Sequence, residues 1–271
     1  MNDIGTIVPV SFFRKEGVLG GSPSADVNTI FDIYDVKDLK NLKKKINDFN
    51  PTYFRKSSKF VENKNHVIAW SVLAKYKADK SSIPAFSRSN ESQLLEDLKK
   101  CFYKNDNVIK TTQKILNSYG IKFLPLNRPS QTPVDGKSFM SGENPAIVLS
   151  LKYDRLDNFA FTLFHELGHV FEHLTNPKRP EFRNEEFFIN SSNTVLVEFE
   201  ADNYASNNLI DSDLFNDFIA FNDEYSDAVI LEFSSKNRIH PGIVRGRICH
   251  LFNEYYRKRS SITSLNKLKF D

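Results

Sequence analysis

The sequence predicts an α+β fold, with a mainly helical N-terminal region over residues 1–120 and a domain with a small sheet over residues 121–271. Two observations predict it. Apolar residues recur at helical spacing before Gly120, and short apolar runs bounded by turn residues begin directly after it. The composition agrees, because 40% hydrophobic and 26% charged residues are ordinary for a globular chain of 271 residues with a sizeable core.

The charge and the cysteine content indicate which partners and which cellular compartment to expect. Lys and Arg number 37 against 34 Asp and Glu, so the formal charge of +3 gives no argument for direct binding of nucleic acid. Cys101 and Cys249 have no metal or disulfide spacing, which favours a reducing compartment. No signal peptide is visible, and the longest apolar run, at 146–149, is too short to cross a bilayer. We expect a cytoplasmic protein with no membrane contact.

Apolar spacing predicts four helices in the N-terminal region, over residues 36–46, 61–77, 90–102 and 108–119. Asn90 is the expected cap of the third helix, and Gly120 is expected to end the fourth. Residues 1–30 show little pattern, and the Gly-Gly-Ser-Pro-Ser stretch at 20–24 is expected to break any helix there.

Strand and helix signals alternate after Gly120. The predicted strands cover residues 121–126, 137–140 and 146–151, with a short fourth strand at 187–189 inside a polar loop. The two main predicted helices cover residues 158–174 and 195–210. Asp157 is the expected cap of the first of them.

The pentapeptide His165-Glu166-Leu167-Gly168-His169 is the strongest chemical signal. Residues four apart on a helix share one face, so the two histidines can bind one ion. Glu166 lies one residue further round the helix than His165, where its carboxylate can act as a general base instead of a metal ligand. This is the zincin arrangement of a zinc metallopeptidase. The alternative explanation is a pair of polar histidines satisfied within a core helix.

A catalytic zinc site needs a third protein ligand. Glu198 and Asp202 are four residues apart on the predicted helix 195–210 and can face the histidines together. Glu198 is the predicted third ligand, and Asp202 is predicted to accept a hydrogen bond from the far ring nitrogen of a ligand histidine. Glu200 points about 200° away from Glu198 and is the second candidate for the ligand. A solvated acidic helix face is the alternative.

The predicted reaction is hydrolysis of a peptide bond. Zinc would activate water near neutral pH, and Glu166 would take the proton and return it to the leaving amine. An extended substrate is expected to pair with the edge of strand 146–151. Three residues are candidates for the donor that stabilises the oxyanion, Tyr204, His240 and Arg245. His173 shares a helix face with His169 and could reach the substrate or a nearby acid, although a surface or satisfied histidine explains it equally well.

A family resemblance follows from these motifs. Residues 161–169, with a further histidine at His173, resemble the ImmA/IrrE family of metallopeptidase-like regulators. Residues 198–205 resemble that family's second motif, and residues 119–121 and 145–150 resemble its sheet region. The combination is more specific than the zincin motif alone.

Other segments resemble a subset of that family. Residues 54–57, 69–70 and 240–247 are similar to forms that are fused to a helix-turn-helix repressor or antitoxin. The whole resemblance covers roughly residues 50–252, and residues 1–50 contain no convincing helix-turn-helix. The chain is therefore expected either to act on a separate repressor or to be an antitoxin-like relative without its own DNA-binding domain.

The resemblance implies a gluzincin-like zinc site and a regulatory role, often the cleavage of a partner repressor. It carries over to His165, Glu166, His169 and Glu198, and it implies a protein partner such as a helix-turn-helix repressor or a toxin-antitoxin component. The competing hypothesis is a non-proteolytic antitoxin or regulatory binding module with a structural or vestigial zinc site. The intact Glu166 favours the enzyme. Residues 228–252 have a helix-turn-helix rhythm, but a helical pair packed behind the active site is favoured over DNA binding.

Overall fold

The computed structural model describes residues 2–49, 64–129, 132, 134–188 and 195–268. Its N-terminal half contains α1 (Asn2–Gly5), α2 (Val10–Lys15), α3 (Pro23–Ile33), α4 (Leu39–Asp48), α5 (Lys64–Asp79), α6 (Glu91–Lys104) and α7 (Val108–Ser118). The stretch at 20–24 separates α2 from α3, as expected of a helix break, but α3 already begins within it. Ser22 caps α3 by accepting a hydrogen bond from the amide of Ala25, and Pro23 occupies the first helical turn, where it needs no amide hydrogen.

Helices α4 to α7 occupy the four segments with helical apolar spacing. Asp38 caps α4, at 2.8 Å from the amide of Asn41. The predicted start of the next helix at Val61 lies outside the described residues, as do residues 54–57. Asn90 precedes α6 but makes no capping hydrogen bond through its side chain. Gly120 follows α7 with φ of +78°, a conformation that glycine adopts without strain.

Four described strands form one sheet: β1 (Lys122–Pro125), β2 (Gly136–Ser141), β3 (Asn144–Leu149) and β4 (Glu186–Phe188). Their order is β1-β3-β2-β4, with β1 parallel to β3 and the other neighbours antiparallel. β3 is therefore paired on both sides, and the expectation that a peptide adds to its edge is wrong. Among the described residues, the outer strands are β1 and β4. The predicted fourth strand begins one residue earlier than expected, and Ile189 lies outside the described residues.

The remaining helices are α8 (Leu156–Gly168), which continues as a π-helical turn over His169–Leu174, α9 (Val195–Leu209), α10 (Ser212–Ala220), α11 (Asp227–Asn237), α12 (Pro241–Leu251) and α13 (Ile262–Leu265). The prediction that Asp157 caps α8 is wrong, because the helix begins one residue before it. Its carboxylate forms an ion pair with Arg155 instead. No helix in the described ranges combines the length and the apolar character that crossing a bilayer requires.

Helices α11 and α12 pack as a pair, and α12 also contacts α8. Arg245 donates from Nη2 to the carbonyl of Tyr255 at 3.0 Å, and Arg247 donates from Nη1 to the carbonyls of Ser206 and Ile210, each at 2.9 Å. Both guanidinium groups are therefore engaged within the fold. This arrangement favours the packed helical pair over a DNA-binding surface.

The sheet lies between two hydrophobic cores, because successive side chains of a strand point to opposite faces. Ile147 and Leu149 of β3 belong to the core that contains α8, here called the α8 core. Ala146 and Val148 belong to the core that contains Trp70 of α5, here called the α5 core. Helices α6 and α7 contribute to the α8 core although they precede residue 120. The division into units at 1–120 and 121–271 stays a prediction.

Candidate metal centre

Helices α8 and α9 bring the predicted site residues together. His165 and Glu166 lie in the last turn of α8, and His169 begins the π-helical turn. Glu198 lies in the first turn of α9. The two helices approach closely at Gly168, where a Cβ atom would lie 2.9 Å from a backbone carbon of α9. A larger residue at that position would separate the histidines from Glu198.

Three potential ligand atoms lie within 4.8 Å of one another. Nε2 of His165 is 3.1 Å from Nε2 of His169. The carboxylate of Glu198 is 3.4 Å from the first of these nitrogens and 3.6 Å from the second. Ligands bound about 2.0–2.1 Å from a tetrahedral ion are separated by about 3.3–3.4 Å. The three residues therefore have the spacing of three corners of one tetrahedral metal site.

Glu166 is fully buried beside these ligand atoms. Its carboxylate oxygens make no hydrogen bond of normal geometry among the described residues. Burial raises the pKa of Glu166 to about 8 in the metal-free chain, although the nearby hydroxyl of Ser138 acts to lower it. Its position requires Gly136 on β2, because any Cβ atom at 136 would collide with Oε1 of Glu166. Buried carboxylate oxygens with so little hydrogen bonding fit a group that comes from outside the chain.

His165 has a direct carboxylate partner on its other ring nitrogen. Its Nδ1 lies 2.8 Å from Oδ1 of Asp202, whose side chain is 56% exposed. Burial lowers the pKa of His165, but the hydrogen bonds to Asp202 and Glu198 outweigh it and raise the pKa to about 9. When Nε2 is a metal ligand, Nδ1 carries the proton and donates it to Asp202. The structure thus places Asp202 where the predicted hydrogen bond requires it.

His169 has a histidine partner instead of a carboxylate. Its Nδ1 lies 3.2 Å from Nδ1 of His173, and Nε2 of His173 lies 2.8 Å from Oε2 of Glu200. Nη1 of Arg179 donates to the same carboxylate oxygen at 2.7 Å. Glu200 is therefore engaged away from the three ligand atoms, and Glu198 is the acid that lies beside both imidazoles. His173 is fully buried and hydrogen-bonded, not a surface histidine.

The three candidates for the oxyanion donor point elsewhere. The hydroxyl of Tyr204 donates to Oε1 of Glu91 at 2.9 Å. Nδ1 of His240 accepts a hydrogen bond from the amide of Gly242 at 3.1 Å and so caps α12. The guanidinium of Arg245 binds backbone carbonyls, as described above. The structure does not bring these residues to the metal ligands.

Two residues that shape the site, Phe187 and Gly136, were not predicted from the sequence. The ring of Phe187 on β4 stacks on His169, with centroids 4.5 Å apart and an angle of 7° between the planes. The alternation of side chains along β4 follows from the sequence, but the pairing of β4 with β2 does not. Gly136 was missed because a glycine before a strand ordinarily indicates only a turn. Its role depends on a contact with a helix that lies far along the chain.

An α+β domain with a two-histidine motif on a buried helix and an acid on the following helix is a zincin-like metallopeptidase domain. Residues 118–234 match the protein-family model Peptidase_M78, described as the IrrE N-terminal-like domain. This segment is therefore a domain of the ImmA/IrrE family, which is metallopeptidase-like and typically metal-dependent. Comparisons with curated proteins and with solved structures gave no significant match. The resemblance to forms fused to a helix-turn-helix domain stays a prediction.

Proposed function

We propose that the protein is a zinc-dependent, site-specific peptidase that cleaves a partner transcriptional regulator. The observation that carries this proposal is the convergence of His165, His169 and Glu198 beside the buried carboxylate of Glu166. A structural metal site has no need for such a carboxylate. The match to a metallopeptidase-like family supports the same class of reaction.

Zinc is the metal that suits this set of ligands. His165, His169 and Glu198 would hold it through two nitrogens and one carboxylate oxygen, the ligand set of many zinc peptidases. When bound, zinc supplies Lewis acidity that makes water nucleophilic near neutral pH and polarises the carbonyl of a peptide bond. Asp202 fixes the ring orientation of His165 through the hydrogen bond at Nδ1.

Glu166 is the proposed general base and general acid. Its raised pKa in the metal-free chain has burial as the main cause. A cation held by the adjacent ligands would favour the ionised carboxylate and bring its pKa towards neutrality. Glu166 then accepts the proton of the attacking water and transfers it to the leaving amine nitrogen. Burial keeps bulk water away from this proton transfer.

The outer strand β4 is the proposed docking edge for an extended substrate. Among the described residues it pairs with β2 on one side, and its Phe187 stacks on the ligand His169. A segment that adds to β4 would therefore pass close to the metal ligands. Sequence resemblance supports the choice of partner, a helix-turn-helix repressor or a toxin-antitoxin component.

The exchange Glu166→Gln tests this function. The zinc-loaded variant should keep one zinc per chain but cleave a co-expressed helix-turn-helix repressor about 10²–10⁴ times more slowly, because a positioned general base contributes a factor of this size. Cleavage is followed by mass spectrometry of the intact repressor and its fragments. Glu143→Gln is the matched control, since Glu143 forms an exposed ion pair with Arg183. Undiminished cleavage by the Glu166 variant would contradict its role as the general base. A biological effect that survives loss of cleavage would support the binding-module hypothesis instead.

A further inference from the structure

We propose that His173, Glu200 and Arg179 form a positioning relay for the metal ligand His169. The inference rests on the zinc site proposed above. In this relay a buried neutral imidazole connects the ligand to a carboxylate that does not touch it, and a guanidinium holds that carboxylate from the outer side. None of the three residues binds the metal or contacts the substrate in this role.

The positions of the ring protons follow from the distances. A metal ion on Nε2 of His169 requires the ring proton on Nδ1. This nitrogen lies 3.2 Å from Nδ1 of His173, which must therefore accept the hydrogen bond with its lone pair. His173 then carries its own proton on Nε2 and donates it to Glu200 at 2.8 Å. With one tautomer of each imidazole, both hydrogen bonds form, from His169 to His173 and from His173 to Glu200.

Burial makes this arrangement costly to break. His169 and His173 are both 0% exposed, so a ring nitrogen without a partner could not turn to water. The rings of Phe182 and Phe187 lie with their centroids 5.3 Å from that of His173. These contacts restrict rotation of the imidazole.

The carboxylate of Glu200 determines which ring nitrogen of His173 carries the proton. Glu200 accepts from Nε2 of His173 and from Nη1 of Arg179, at 2.8 and 2.7 Å. The guanidinium of Arg179 thus forms an ion pair with this carboxylate. A negative charge at this place favours the proton on Nε2 of His173. The lone pair on Nδ1 is thereby directed at His169.

The tautomer of His173 is the first test. Long-range ¹H–¹⁵N correlation spectra of the zinc-loaded protein should show His173 as a neutral ring with its proton on Nε2, and His169 with its proton on Nδ1. In metal-free Glu200→Gln, where no ion fixes the proton of His169, His173 should populate the other tautomer, because the charge that selects the first is gone. A packing role for Glu200 would leave the tautomer unchanged. Detection of the Nδ1–H tautomer of His173 in the unmodified protein would overturn the relay.

Zinc affinity is the second test, measured by competition with a chelating indicator. Glu200→Gln and His173→Phe should each raise the Kd for zinc about 10–100-fold, the usual effect of losing a partner of a metal-bound histidine. Glu143→Gln, the same exchange in the exposed ion pair with Arg183, should leave it unchanged. Should His173→Phe fail to fold, Glu200→Gln carries the test, with the Tm of the metal-free variant as the control for folding.

The outcomes separate this inference from the function on which it rests. Failure of the unmodified protein to bind one zinc per chain would overturn both the metal site and the relay. Normal zinc binding with equal Kd values for the unmodified protein and a folded Glu200→Gln variant would overturn the relay alone. Loss of affinity in Glu200→Gln together with the change of tautomer would establish it.

Discussion

The two faces of the sheet differ in what covers them. The face that carries Ile147 and Leu149 packs in the α8 core, which supports the metal ligands. The face that carries Ala146 and Val148 packs in the α5 core, with the N-terminal helices. The family match starts at residue 118, so it includes the whole sheet but not the helices of the α5 core. The family domain thus presents an apolar face that this chain buries with its own N-terminal region.

One ion pair on the α5 face of the sheet connects β2 to α5 and to β4. Lys137 on β2 is fully buried and donates from Nζ to Oγ of Ser71 at 2.7 Å and to Oε2 of Glu186 at 2.8 Å. Ser71 belongs to α5, and Glu186 belongs to β4, directly before Phe187. Since Phe187 stacks on His169, the α5 side of the sheet helps to hold the strand that borders the metal ligands. The N-terminal helices are therefore connected to the site without contacting it.

The largest expected effect comes from opening either core. Trp70→Ala in the α5 core and Phe164→Ala in the α8 core should each lower the free energy of unfolding by about 3–5 kcal/mol, since both side chains are fully buried. Urea unfolding measures this loss. Zinc affinity should fall more for Phe164→Ala than for Trp70→Ala, because Phe164 directly precedes the proposed ligand His165 on α8. Equal losses of zinc affinity would contradict this difference between the two faces.

A smaller loss of stability is expected when the ion pair between Lys137 and Glu186 is removed. Lys137→Met removes the buried cation and leaves Glu186, whose side chain is 37% exposed, partly able to turn to water. We expect a loss of about 1–3 kcal/mol in the free energy of unfolding, the cost of an unsatisfied buried polar group. Zinc affinity should also fall, because β4 is held less firmly. Unchanged affinity in a stable variant would contradict the connection, and Lys152→Met, at the more exposed pair with Asp135, is the control.

A pH dependence of stability is expected on the α8 side alone. In the metal-free protein the pKa of Glu166 is raised from 4.5 to about 8. A raised pKa stabilises the fold below 4.5, and this contribution is lost as the pH rises through 8. His165, raised from 6.5 to about 9, acts in the same direction at higher pH.

The Tm of the metal-free protein in a chelator should therefore fall as the pH is raised from about 5 to 9. Glu166→Gln should make this decline shallower, whereas Trp70→Ala should lower Tm without changing the slope. An equal slope in the protein with and without Glu166→Gln would show that the carboxyl makes no such contribution. Zinc should reverse the trend, since its ligands bind in their deprotonated forms.

The sequence predicted local features well. The spacing of His165 and His169, and of Glu198 and Asp202, places side chains on one helix face whatever the tertiary structure. For that reason the site residues could be proposed together, and four N-terminal helices could be located. The family match confirms the predicted α+β fold and the family.

The errors arose where the outcome depends on distant partners. Residues 146–151 were expected to form an edge strand, but whether a strand lies at an edge depends on the order of the strands in the sheet. In the structure β1 pairs in parallel with β3, on the side away from β2. Of the three oxyanion candidates, Tyr204 has a partner far away in sequence, Glu91, whereas His240 is engaged locally as the cap of α12. The helix at Pro23 was missed for a local reason, because Ser-Pro was interpreted as a turn when it is equally a helix start.

Gly136 contributes to the proposed site through the side chain that it lacks. The carboxylate of Glu166 occupies the volume into which every other amino acid would project its first carbon. Any larger residue at 136 would therefore displace this carboxylate. If Glu166 is the general base, such a mutation would appear as a defect in proton transfer, although the mutated residue neither carries a proton nor binds a ligand.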